Sequence, residues 1–169
     1  DGANLLVPVD VTAGSLDELG YQAPRVNFLL RDMARIGNAA NIIVLDACRN
    51  TPLPSGARNG PAGGLAAFGD VPDNVFISYA TRPGQTAPDN PGETNSVFSR
   101  TLAEALSTAP TERIETLFSD VQSRVFRNTG EAQRPEYRNG LLRAPDFRFV
   151  QPVVAVDRSE LPPPPAPKT

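Results

Sequence analysis

The sequence contains no histidine, no tryptophan, one cysteine and one methionine. Each shortage removes a class of chemistry. Without histidine, the 169 residues hold no self-contained Ser-His-Asp or Cys-His catalytic site. Imidazole ligation of a metal is excluded on the same ground, and a single thiolate cannot build a structural zinc site. One cysteine forms no internal disulfide, so the redox compartment stays open. A chain of this length can bury a real core without such staples. No apolar run approaches the roughly 18 residues that a membrane-spanning helix requires. The chain starts Asp1-Gly2-Ala3-Asn4, with neither the basic start nor the apolar stretch of a secretory signal. Nothing visible chooses between cytoplasm and periplasm. Positive charge is scarce as well: 16 Lys and Arg stand against 19 Asp and Glu, a net charge of −3. The arginines are dispersed among acids. A nucleic-acid-binding surface gathers them into a basic stripe that neutralises phosphates. Neither nucleic acid nor a membrane span is therefore expected.

What remains is an ordinary globular pattern. Residues 5–10 read as a short apolar strand ending in a turn. Residues 22–36 read as one helix, with Val26, Leu29, Leu30 and Met33 on a single stripe and a stop at Gly37-Asn38. Residues 41–47 form the clearest strand. Ile42, Ile43, Val44 and Leu45 in succession suit a strand buried on both faces, as in parallel sheets. A long Gly- and Pro-rich loop fills 49–73, a length that is usually functional or disordered. A second buried strand spans 74–80, and another Pro/Gly-rich loop spans 81–95. Ser96 is placed to cap a helix that turns Phe98, Leu102 and Leu106 inward. Thr111 is placed to cap the next, with Ile114, Leu117, Phe118, Val121 and Val125 on one face. Residues 128–139 are polar. Residues 147–150 alternate like a final strand. Residues 151–169 lose periodicity and end in a proline run, the composition of a polyproline-type linker or tail. The order fits a three-layer α/β domain.

Cys48 lies just past the C-terminal end of the 41–47 strand, where open α/β sheets form their ligand crevices. A thiol there is a candidate nucleophile, provided the site favours its thiolate. A lone cysteine is by itself more often a small buried residue. Asp46 stands two residues earlier, and in a strand such residues point to the same side. Its carboxylate would receive a substrate Arg or Lys, or else cap a loop. Arg49 is adjacent, but its side chain need not face the sulfur. Residues 60–64 are glycine-rich without a strand leading into them, which makes a poor phosphate loop. A Cys-x5-Arg phosphatase loop would need arginine where Pro54 stands.

The run Ile42-Ile43-Val44-Leu45-Asp46-Ala47-Cys48-Arg49-Asn50 resembles the nucleophile strand of bacterial caspase-like cysteine peptidases, the orthocaspase and metacaspase group. Residues 1–10 resemble the segment following that group's catalytic His-Gly motif. Residues 75–87 resemble its next core strand and substrate-binding loop, and 95–106 its following helix. The likeness covers roughly residues 1–150. It implies a three-layer caspase-like fold with a mostly parallel central sheet, helices on both faces, and the first strands lying outside this chain. Residues 1–150 would then be the peptidase domain without its histidine-bearing part, and 151–169 the tail.

The resemblance further implies hydrolysis of peptide bonds through Cys48, with a histidine supplied by a companion N-terminal segment. Cys48's own N–H would serve in the oxyanion hole. Asp46 matches the acidic residue that selects Arg or Lys at P1, the position before the scissile bond. Ser78, Tyr79, Ala80 and Thr81 match the strand edge along which a substrate extends. Gln85 and Asp89 are pocket-rim candidates. Arg58, in the long loop, is a candidate self-processing point. No cofactor is required. Some relatives need calcium, yet no acidic cluster with calcium-loop spacing appears. The rival functional reading is a catalytically inactive caspase-like module used in protein binding or regulation. A further rival is an unrelated α/β scaffold with a structural Cys48.

Overall fold

The structure is a computed structural model that describes residues 4–8, 10–46, 71–82, 85 and 93–153. Its first helix, α1, runs Leu16–Gln22. Ser15 caps it by accepting the Glu18 N–H at 3.1 Å, and the Glu18 carboxylate reaches back to the Gly14 N–H at 2.9 Å. Both bonds satisfy amides near the helix start, as in a capping box. The helix ends at Ala23, whose backbone is extended. Pro24 explains this, because a residue before proline is pushed out of the helical region. A second helix, α2, then runs Val26–Ile36 and stops at Gly37, which takes a left-handed φ of 84°. The helix expected over 22–36 therefore begins only at Val26, and residue 22 instead ends a separate helix before the proline. Leu29, expected on the buried stripe, is 42% exposed.

Among the described residues three strands make the sheet: β1 at Asn41–Leu45, β2 at Val75–Tyr79 and β3 at Glu136–Asn139. They lie in the order β1-β2-β3. β1 pairs with β2 in parallel, from Asn41 opposite Val75 to Leu45 opposite Tyr79. β3 pairs with β2 antiparallel, from Phe76 opposite Asn139 to Tyr79 opposite Glu136. The sheet is thus mixed, and its central strand is β2, buried at every position. β1 was expected to be buried on both faces. It is the edge strand among the described residues, and Val44 is 40% exposed.

The alternation along β2 supplies both faces of the core. Val75, Ile77 and Tyr79 pack with Ile43 of β1 against Val26 and Leu30 of α2. Phe76 and Ala80 face the other way, onto α3 (Val97–Thr108) and α4 (Ile114–Asn128). There Phe98, Leu102, Ile114, Phe118, Val121 and Val125 complete a second cluster. Phe76 and Phe118 meet with ring centroids 4.8 Å apart, and Tyr137 stacks on Phe76 at 5.2 Å. Such ring pairs add about 0.5–1.5 kcal/mol beyond their buried area. Helices on both faces of a sheet give the expected three layers.

Three further expectations are corrected. The described residues of the 5–10 segment form no strand; Leu5 makes one isolated bridge to Arg25. Residues 147–150 also form none. Their alternation instead serves α4, since the Phe147 carbonyl accepts the Ile114 N–H at 2.9 Å. The cap of α4 is Arg113 rather than Thr111, and it makes no side-chain capping bond. Among the described residues no helix is long and apolar enough to cross a membrane.

Candidate functional site

Because β1 and β2 are parallel, their C-terminal ends open on the same edge of the sheet. The Ala80 N–H donates to the Leu45 carbonyl at 3.0 Å and prolongs that pairing by one bond. By the same register Asp46, just past β1, stands opposite Ala80, and Thr81 follows one residue beyond. Ser96 and Ser99, at the start of α3, meet Asp46 from the neighbouring layer. Ser96 is the N-cap: its Oγ accepts the Ser99 N–H at 2.9 Å. It also donates to Asp46 Oδ2, and Ser99 Oγ donates to the same oxygen at 2.5 Å. A carboxylate at a helix N-terminus is further favoured by the partial positive charge of the unpaired amides there. Asp46 is half-buried, so its orientation is fixed while part of it faces outward.

Thr81 is 1% exposed. Its Oγ1 finds no hydrogen-bond partner among the described residues. Immediately before it, the Ala80 carbonyl accepts the Gln133 side-chain amide at 2.8 Å. Gln133 is itself 1% exposed and is anchored through its backbone N–H to Thr129 Oγ1 at 3.0 Å. Arg82 then turns outward and pairs with Glu136 of β3 at 3.4 Å. Beyond it a shallow cleft is lined by Arg82, Gln122, Ser123, Phe126, Arg134 and Pro135. Asp46 is not among its walls. Arg134 lies over the Phe126 ring, 4.5 Å from its centroid.

The residues singled out in the sequence are placed unevenly. Asp46 stands at the sheet edge, as its position in the strand required. Ser78 and Tyr79 lie inside β2, 1% and 5% exposed. Their backbone edges are taken by β1 on one side and β3 on the other, and both backbone groups of Ala80 are bonded. Among the described residues, β2 therefore has a strand on each side along 78 and 79. Thr81 is the first residue past the ladder. Gln85 is exposed, and its N–H donates to the Arg82 carbonyl at 3.1 Å. Cys48, Arg49, Arg58 and Asp89 lie outside the described residues. Ser96, Ser99 and Gln133 were not foreseen in these roles. Ser96 was read as a helix cap, and its contact with Asp46 spans 50 residues of sequence. Among the described residues, no three His, Cys, Asp or Glu side chains gather so as to hold a metal ion.

A parallel strand pair that brings Asp46 to one edge of the sheet, between helical layers, fits the frame of a caspase-type domain. The caspase domain profile matches residues 4–145 of the 169. The chain belongs to the caspase domain family, a family of cysteine peptidases. Comparison with curated proteins gives no match.

Proposed function

We propose that this domain is a metacaspase-type cysteine endopeptidase that cleaves after Arg or Lys. Cys48 is the nucleophile. Its thiolate adds to the scissile carbonyl carbon, the C–N bond breaks, and the amine leaves with a proton from an imidazolium. Water then hydrolyses the thioester and returns the thiol. The imidazole comes from a companion N-terminal segment, because this chain contains no histidine. That segment is proposed to pair along the outer edge of β1. In support, this edge has no strand partner among the described residues, and Val44 beside it is 40% exposed.

The observation that carries the specificity is Asp46. Its half-buried carboxylate stands at the end of β1, two residues before Cys48. A basic side chain entering a cleft loses hydration, and a fixed carboxylate compensates that loss. Thr81 and Gln85 are proposed to border the same groove, and Arg58 to be a self-processing point. The test is turnover by the full-length protein of peptides carrying Arg, Lys or Asp at P1, with and without Ca²⁺. Cleavage after Arg and Lys that disappears in Cys48→Ala supports the proposal. Equal turnover by wild type and Cys48→Ala rejects the nucleophile. Binding of such peptides without turnover favours the inactive-module reading.

A further inference from the structure

Asp46 meets the basic P1 side chain in the reading just given, and the inference that follows rests on that reading. Both serine hydroxyls at the start of α3 donate to one oxygen of this carboxylate, Oδ2. An ionised carboxylate offers about four acceptor positions, two on each oxygen. Among the described residues, Ser96 and Ser99 fill those on Oδ2 and leave Oδ1. The arrangement is locked, because Ser96 Oγ also accepts the Ser99 N–H at 2.9 Å and cannot swing away without uncapping α3.

Arg and Lys make different demands on such a group. A guanidinium gains most when two parallel N–H bonds reach both carboxylate oxygens. An ammonium is a point charge that one oxygen satisfies. We propose that Ser96 and Ser99 are positioning residues that restrict Asp46 to contact through one oxygen and so level the choice between Arg and Lys at P1. Neither serine touches the substrate or moves a proton in this scheme; both act through Asp46.

The test compares kcat/KM for matched peptides differing only in Arg or Lys at P1. It uses the full-length protein as wild type, Ser99→Ala, Ser99→Thr and Asp46→Asn. Ser99 is the residue to change because its hydroxyl does not cap the helix, and alanine is a good helix former. Removing it opens a position on Oδ2, so the Arg-to-Lys ratio rises by about tenfold, the worth of one added charge-assisted hydrogen bond. Ser99→Thr keeps a hydroxyl and returns the ratio to the wild-type value. A purely structural role would lower both rates together and leave the ratio alone. An unchanged ratio in Ser99→Ala, with cleavage still lost in Asp46→Asn, overturns the positioning role and leaves the basic-P1 reading standing. Wild-type cleavage after neither residue overturns that reading, and this inference with it.

Discussion

Gln133 shows how much one buried amide can fix. It holds the Ala80 carbonyl at 2.8 Å, one residue before Thr81 leaves the sheet. Replacing it with leucine keeps the bulk and leaves that carbonyl without a partner in the interior. Such an orphaned group costs about 1–3 kcal/mol. Gln133→Leu should lower Tm by several degrees in a thermal melt, and an unchanged Tm would deny the bond its role. Tyr137 offers a pH readout. Burial first, and then the nearby Glu115 charge, raise its pKa above the ordinary tyrosine value. A raised folded-state value favours the neutral phenol in the native state. The contribution is fully present below the unfolded value of about 10 and is lost as pH climbs through the folded value. Ultraviolet titration of the native protein should show a late-ionising tyrosine that Tyr137→Phe removes. The place of Asp46 was legible in the sequence, because the apolar run of Ile42 to Leu45 stops just before it. Its serine partners were not, since hydrogen bonds across 50 and 53 residues leave no local pattern.

Elements were legible where hydrophobic period and stop signals agreed. The strands at 41–45 and 75–79 were found within two residues, as was the Ser96 cap of α3. The second helix was expected to start at residue 22, four residues early, and α1 was not foreseen, because the apolar stripe that marked a helix begins only at Val26. Pro24 sets the break, since it excludes the helical backbone at Ala23. β3 was missed because its residues, Glu136 to Asn139, are polar apart from Tyr137; its place comes from antiparallel pairing with β2. Gly140 ends that strand. Its N–H donates to the Val75 carbonyl at 2.9 Å, and its carbonyl accepts the Asn74 N–H at 2.7 Å. A Cβ there would sit 2.7 Å from the Pro72 carbonyl oxygen and 3.0 Å from that of Val75. Both obstacles are backbone, so they cannot rotate away. Gly140→Ala should destabilise the domain by about 1–3 kcal/mol, the usual range for overpacking. Denaturant titration measures it, and a midpoint within error of wild type would show that the sheet end yields freely.

At the scale of the whole molecule, the sheet and one helical layer meet at one edge. The sheet contributes Asp46 and Thr81, the start of α3 contributes two hydroxyls, and the segment between α4 and β3 contributes Gln133. The core that packs α3 and α4 on the sheet therefore also sets the geometry of the site. The sequence carried the class of fold because β1 and β2 are unmistakably apolar. It did not reveal that β1 lies at the edge, because exposure of one face depends on what stands beside a strand. The central claim is that Cys48 attacks a carbonyl presented by a basic P1 residue. The most direct measurement incubates the full-length protein with peptidyl ketone inhibitors bearing Arg or Asp at P1, followed by peptide mapping by mass spectrometry. The account predicts covalent mass on the Cys48 peptide from the Arg reagent, and none from the Asp reagent. An unlabelled Cys48 in protein that still cleaves its substrates, or labelling by the Asp reagent alone, would contradict it.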